Sequence, residues 1–256
     1  MGYDTIEYAV EAGVATLTLA REDRLNALNG AMRREIADAV GRAGAEARAL
    51  VLTGRGRAFC TGQDLGEAGT GLEVGRVLRE EYEPMLRAIY ACPVPTLAAV
   101  NGVAAGAGAN LALGCDVAIA AESAVFIQAF ARIGLAPDAG GTWWLPRQVG
   151  FARAMGAALF AEPVPARQAA EWGMIWQAVA DADLADVVGA RARQLAAGPT
   201  AAYRLIKQGL RRGMENDLDT QLALEAELQA EAGATRDFRE AVAAFLEKRP
   251  PRFEGR

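Results

Sequence analysis

The chain of 256 residues is 52% hydrophobic and 23% charged, carries a formal charge of −5 and contains no histidine. A globular chain of this length buries about 70–75% of its unfolded surface, and no basic run is long enough to follow a phosphate backbone, so no nucleic-acid partner is expected. Without imidazole, Ser-His-Asp and Cys-His nucleophile chemistry and histidine metal centres are excluded, and no metal site is expected.

The opening MGYDTIEYAV lacks the basic and apolar segments of a secretion signal, so the chain reads as unprocessed and cytoplasmic. Residues 3–20 read as a hairpin turning at Gly13, with apolar residues alternating in its second strand. Asn29 is placed to cap a helix running to about Ala43, with Met32, Ile36, Ala39 and Val40 on one stripe. ALVLTG, residues 49–54, reads as a buried strand that ends in the loop GRGRAFCTGQDLG. Residues 73–91 then form a partly acidic helix, with Glu80, Glu81 and Glu83 expected on a solvated face. CPVP breaks it before a second buried strand, residues 96–100, a glycine loop and a helix from about Ala107.

Residues 93–115 carry no charge and match the ~20 residues of a bilayer span. Pro93, Pro95, Asn101 and Asn110, with Gly102, Gly106, Gly108 and Gly114, would break or hydrate such a helix, so no membrane association is expected. Cys60, Cys92 and Cys115 are far apart and read as reduced core thiols. Residues 117–123 complete a strand-helix alternation that argues an α/β class with a mostly parallel sheet.

After Thr142 the pattern becomes helical, dividing the chain into a core of residues 1–195 and a helical region of residues 196–256. Apolar stripes there, including Leu205, Ile206, Leu210, Leu218, Phe238, Phe245 and Leu246, suit either core packing or a subunit interface, and both remain open. Of 27 basic residues only Lys207 and Lys248 are lysines, and the tail RPPRFEGR is expected to fray.

Three segments bring backbone or a carboxylate to the ends of buried strands. In RGRAFCTGQDL, Gly62 lets the chain turn so that the Gln63 N–H points into a cavity; in NGVAAGAGANLALGCD, small residues and a helix start expose backbone donors. In GLAPDAGGTWWLP, Pro137 stiffens the backbone before Asp138, and Gly140 and Gly141 open a helix. Each alone also fits an ordinary turn or cap. A dinucleotide fingerprint is excluded, because Leu111 stands at its third glycine.

Together with the opening hairpin and RLNALN, these segments resemble the crotonase, or enoyl-CoA hydratase/isomerase, superfamily over essentially the whole chain. The resemblance implies a spiral of ββα units with a C-terminal helical region, a homotrimer or dimer of trimers, and an acyl-CoA thioester substrate. It implies no cofactor other than the CoA that the substrate carries. It assigns the backbone N–H groups of Gln63 and Ala107 to the thioester oxygen. Donors of this type are typically worth ~3–4 kcal/mol each in the transition state. Asp138 falls at the carboxylate position of the isomerases, where one acid removes a proton from one carbon and returns it to another.

Two glutamates handle water in typical hydratases of this family, and here those positions hold Asn110 and Phe130, neither of which transfers protons. The stretch APDAGGTWWLPRQVGFARAMGAALF, with LDTQLALEAELQ and FLEKRPPRFEG, resembles the branch that isomerises ring-epoxide CoA thioesters in phenylacetate degradation. The remaining expected substrate contacts are Arg24, Ala27, Ala58, Cys60, Asp64, Leu65, Asn110, Phe130 and Trp143, with Arg21 and Arg24 as candidates for the CoA phosphates. For Phe130, Trp143 and Trp144, ordinary core packing is the competing reading. Asp116 reads as a structural, backbone-pairing residue. An enoyl-CoA Δ-isomerase or hydratase, and a non-catalytic acyl-CoA-binding subunit, remain as alternatives. Apolar neighbours would raise the Asp138 pKa and the helix start would lower it, and the sequence leaves that balance open.

Overall fold

Alternation along three central strands decides the layers. In the computed structural model, which describes residues 2–68 and 73–256, Leu50 and Leu52, Ala98 and Val100, and Ala118 and Ala120 face one hydrophobic cluster, while Val51, Leu97, Ala99, Ile119 and Ala121 face another. Strands covered on both faces need apolar residues at every position, which is how ALVL, TLAAV and VAIAA read.

Among the described residues ten strands are present: β1 Ile6–Glu11, β2 Val14–Leu19, β3 Ala49–Gly54, β4 Ala58–Cys60, β5 Thr96–Val100, β6 Val103–Ala105, β7 Val117–Ala121, β8 Val125–Ile127, β9 Val164–Pro165 and β10 Gln177–Val179. They form a six-stranded sheet in the order β1-β2-β3-β5-β7-β10 and a four-stranded sheet in the order β4-β6-β8-β9. The pairs β1/β2 and β8/β9 are antiparallel, and the others are parallel.

Three times the chain lays one strand in the first sheet, turns sharply and lays the next in the second: β3 then β4, β5 then β6, β7 then β8. After the first two pairs a helical segment returns the chain to the first sheet, and after the third it returns at β10 by way of β9, which makes the spiral of ββα units. The sharp corners need close backbone approach, and a Cβ on Gly102 would collide with the Arg57 carbonyl. The short strands of the second sheet lie in stretches that the sequence offers only as loops or breaks, because three residues give periodicity nothing to register.

Asn29 caps the helix Gly30–Glu46 by accepting the Met32 N–H at 2.8 Å. The outer cluster is closed by the helix Leu184–Ala196 through Leu184, Val188 and Ala192. Helices Thr200–Gly213, Leu218–Gly233 and Arg236–Leu246 follow. Among the described residues no helix is long and apolar enough to cross a membrane.

Two expectations are corrected. The tail does not fray: Asp237 accepts the N–H groups of Glu254 and Gly255 at 2.7 and 2.8 Å, and Arg48 donates to the Phe253 carbonyl at 3.1 Å. Nor do all three helix acids face solvent, since Glu81 pairs with the buried Arg33 at 2.6 Å. Asp116 is structural, accepting from Thr96, Lys207 and Arg211.

Candidate active site

The loops after β4 and β6 meet at one cavity of about 230 Å³. Its walls include Gly62, Gln63, Leu65, Val74, Val77 and Leu78, together with Gly106, Ala107, Phe130, Leu135 and Asp138.

Gly62 has φ +89°, open to glycine and costly to other residues. A Cβ built there would lie 2.8 Å from the Ala105 carbonyl oxygen and 3.2 Å from the Ala107 nitrogen, so the two turns press directly against each other. Leu28 brackets the Gln63 peptide: its N–H donates to Gly62 O at 2.7 Å and its carbonyl accepts from the Asp64 N–H at 3.1 Å. Ala107 begins the helix Ala107–Leu113, where N–H groups have no partner within the helix. Among the described residues, neither the Gln63 nor the Ala107 N–H has an acceptor. Two free donors on touching turns are available to one carbonyl oxygen.

Asp138 stands just before the helix Gly141–Val149. The helix start spends its Gly141 N–H on the Asp138 backbone carbonyl at 2.8 Å rather than on the carboxylate. Among the described residues Oδ1 is buried without a partner. Burial therefore wins the balance that the sequence leaves open, and pushes the carboxyl pKa from 3.8 up to about 6. Such a carboxyl is half ionised near pH 6 and mostly ionised at neutrality, close enough to its titration point both to take and to return a proton.

Gln63, Ala107, Asp138, Leu65 and Phe130 thus come together at the cavity. Asn110 does not line it: the residue is fully buried, donates to the Asp138 carbonyl at 2.8 Å and accepts from Gln128 at 2.9 Å. Trp143 lies outside too, in a second recess of about 670 Å³ that Asp138 and Tyr82 also line. There its ring meets Trp144 at 4.4 Å and Tyr90 at 6.0 Å. Ala58 and Cys60 are buried in β4, and burial pushes the Cys60 thiol up to about 12, leaving it protonated.

Asp64 pairs with Arg21 at 2.8 Å, and Arg21 also donates to the Ala27 carbonyl. Burial opposes ionisation of Asp64, but the Arg21 bond and the Gly66 N–H outweigh it and hold the carboxyl below its usual range. Arg21 is therefore spent inside the protein, whereas Arg24 is exposed, 3.6 Å from Asp23. Buried Ala27 follows Asn26, whose side chain accepts from Arg21 N–H and donates to Arg55 and Ala58 carbonyls. That staple explains the RLNALN turn.

Sequence reasoning missed Tyr82 and Arg33. Tyr82 lines the cavity and donates to Gln63 Oε1 at 2.8 Å; burial raises its pKa, so it stays protonated. Arg33, 3% exposed, stands on the apolar stripe of its helix, and a charge at such a position was the available signal. Among the described residues no three His, Cys, Asp or Glu side chains gather to hold a metal.

A family model described as Enoyl-CoA hydratase/isomerase matches residues 9–256. The chain is 63% identical to a Rhodobacter capsulatus protein named "Probable enoyl-CoA hydratase", over 100% of both chains. It is 50% identical to the Escherichia coli "1,2-epoxyphenylacetyl-CoA isomerase", over 96% of this chain and 97% of that one. Among solved structures it superposes on enoyl-CoA hydratase subunit I from Geobacillus kaustophilus with TM-score 0.94 and 33% identity, over 100% of each.

Proposed function

Because the chain belongs to the enoyl-CoA hydratase/isomerase family, we propose that it converts 2-(1,2-epoxy-1,2-dihydrophenyl)acetyl-CoA into the seven-membered oxepin thioester, a step of phenylacetate catabolism. Membership makes it an enzyme of the acyl-CoA isomerase and hydratase type; substrate and residue roles are the proposal. The thioester oxygen accepts from the Gln63 and Ala107 N–H groups, which form an oxyanion hole. Asp138, ionised, takes a proton from the carbon between the thioester and the ring. The electron pair moves onto the thioester oxygen as an enolate, the carbon–carbon bond shared by the epoxide and the six-membered ring breaks with its electron pair entering the double bonds of the widened ring, and the same carboxyl returns the proton to a ring carbon. Substrate and product have the same composition, so the reaction consumes no oxidant, reductant or water, and the acid and the two N–H donors are proposed to act with no cofactor besides the CoA already attached.

The observation that carries this reading is the lone carboxyl: among the described lining residues Asp138 is the one carboxylate in an apolar cavity, which it shares with two residues whose N–H groups are unspent. The 50% identity to the isomerase from Escherichia coli supports the same substrate. The relative named as a hydratase favours water addition, but that chemistry wants a second acid. Asn110 is spent on Asp138 and Gln128, and Phe130 is apolar.

Incubation with the epoxide thioester and with 2- and 3-enoyl-CoA in deuterated water, read by mass and NMR, tests it. The expected product is the oxepin, with no gain of water. A dominant 3-hydroxyacyl product would make the protein a hydratase, and tight binding with no conversion would make it a binding subunit.

We further propose that copies of this chain cover its exposed apolar side chains, which include Leu210 at 71%, Phe245 at 82% and Leu246 at 74% exposure. A homotrimer or a dimer of trimers is expected by light scattering, and a monomer at micromolar concentration would refute it. The three free cysteines suit a cytoplasmic location.

A further inference from the structure

A buried guanidinium is costly unless its N–H groups find acceptors. Arg33 meets that demand at the cavity. Its Nη2 and Nε donate to Glu81 Oε2 at 2.6 and 3.1 Å, and its Nη1 donates to the Leu28 carbonyl at 2.8 Å and to Gln63 Oε1 at 2.9 Å. The guanidinium lies 4.7 Å over the Tyr82 ring, whose hydroxyl donates to the same Gln63 oxygen. Leu28 is the residue that brackets the Gln63 peptide, so one cation holds both that bracket and the Gln63 side chain.

The ion pair reaches further. Glu81 and Tyr82 belong to a π-helical turn, Leu78–Tyr82, that continues the helix Val74–Val77, and Val74, Val77 and Leu78 form the cavity wall. Such turns often accompany functional sites. Here two successive residues both serve the Gln63 group.

We propose that Arg33, fastened by Glu81, is a positioning residue for the Gln63 N–H and ties that donor to the helix forming the cavity wall. The inference rests on the role of that N–H given above. Nothing in it requires Arg33 to touch the substrate.

The test uses phenylacetyl-CoA labelled with carbon-13 at the carbonyl, whose stretching frequency in the bound state reports polarisation by the N–H donors, together with turnover of the epoxide thioester. The double variant R33M/E81M removes both charges and leaves no unpaired ion in the core. Arg33→Lys keeps the charge but loses the fork that spans three acceptors. In both, kcat is expected to fall about 10- to 100-fold, the effect of a donor misplaced by a fraction of an ångström to one ångström. KM should change by less than about threefold, as expected when transition-state interactions are the ones lost, and the carbonyl shift should shrink. Gln63→Met, which leaves the ion pair and the backbone N–H, should move both readings the same way by a smaller factor, and it decides the matter if the charge variants do not fold. Variants with wild-type kcat and an unchanged carbonyl shift would overturn the inference alone. No carbonyl shift in the wild-type protein would overturn the oxyanion-hole reading and this inference with it.

Discussion

The side-chain amide of Asn110 and the backbone carbonyl of Asp138 are joined at 2.8 Å, and the Gly141 N–H donates to that same oxygen at 2.8 Å. Two donors thus fix the backbone of the acid while its carboxyl is left to the cavity. Gln128 in turn holds Asn110 at 2.9 Å. Asn110 is thus part of the mount for the acid.

The first prediction concerns that mount. Asn110→Leu strips a donor from a buried carbonyl and leaves the Gln128 amide unpaired, a loss of about 1–3 kcal/mol in stability. With the Asp138 backbone less fixed, kcat should fall about 10- to 100-fold. KM should change little. Steady-state kinetics beside thermal melts would separate the two effects, and a variant with normal kcat would deny Asn110 its positioning role.

Asp138 itself sets the pH dependence. As a base it must be ionised, so kcat/KM should rise with pH through about 6, the value to which burial pushes its pKa. Asp138→Asn should cost roughly 10²–10⁴ in rate and abolish that limb. Stability runs the other way. The folded carboxyl holds its proton up to about 6, whereas the unfolded one releases it near 3.8, so the folded state binds more protons in between. The contribution of Asp138 to stability should therefore fall as pH rises from about 4 to about 6, so the stability of Asp138→Asn relative to wild type should rise across that window. Calorimetry at the two ends of that window checks the sign.

How legible this was depended on the range of each interaction. The long strands β3, β5 and β7 and the cap at Asn29 could be read because local alternation or one side chain specifies them. The strands β4, β6, β8 and β9, of two or three residues each, could not, since tertiary pairing alone defines them. At the site, backbone donors and the single acid carry a sequence signature, with glycine or proline beside them. Arg33 and Glu81 carry little, being 48 residues apart and paired only once the helices pack. Trp143 is expected in the acyl pocket; it lines the neighbouring recess that Asp138 also lines, packed against Tyr90 and Trp144.

Gly62→Ala should be far more damaging than its single methyl suggests. The position has φ +89° and the new carbon would press on the Ala105 carbonyl at 2.8 Å and the Ala107 nitrogen at 3.2 Å. Relief must come by moving the two turns apart, which separates the N–H donors. Loss of one such donor costs about 10²–10³ in kcat, and a loss of that size is expected here with the pH limb unchanged, since Asp138 lies on another loop. A variant that kept wild-type kcat would show that the close contact of these turns does not set donor geometry.

Asp116 supplies the contrasting case, an acid whose work is entirely structural. Its carboxylate accepts from the Thr96 N–H and hydroxyl at 2.8 and 2.9 Å and from Lys207 and Arg211 at 2.7 Å each, joining β5 to the helix Thr200–Gly213. Lys207 also donates to the carbonyls of Cys92 and Val94 at 2.7 and 2.8 Å, so all three of its ammonium protons are used. Asp116→Ala would leave two largely buried cations facing each other, at a cost of about 3–5 kcal/mol. That corresponds to a drop of roughly 6–20 °C in Tm for a chain of this size. None of these residues lines the cavity, so kcat measured well below the new Tm should stay within about twofold of wild type, as for a site uncoupled from the chemistry. A large kcat loss at unchanged Tm would mean instead that the helix Thr200–Gly213 reaches the reacting groups through this cluster.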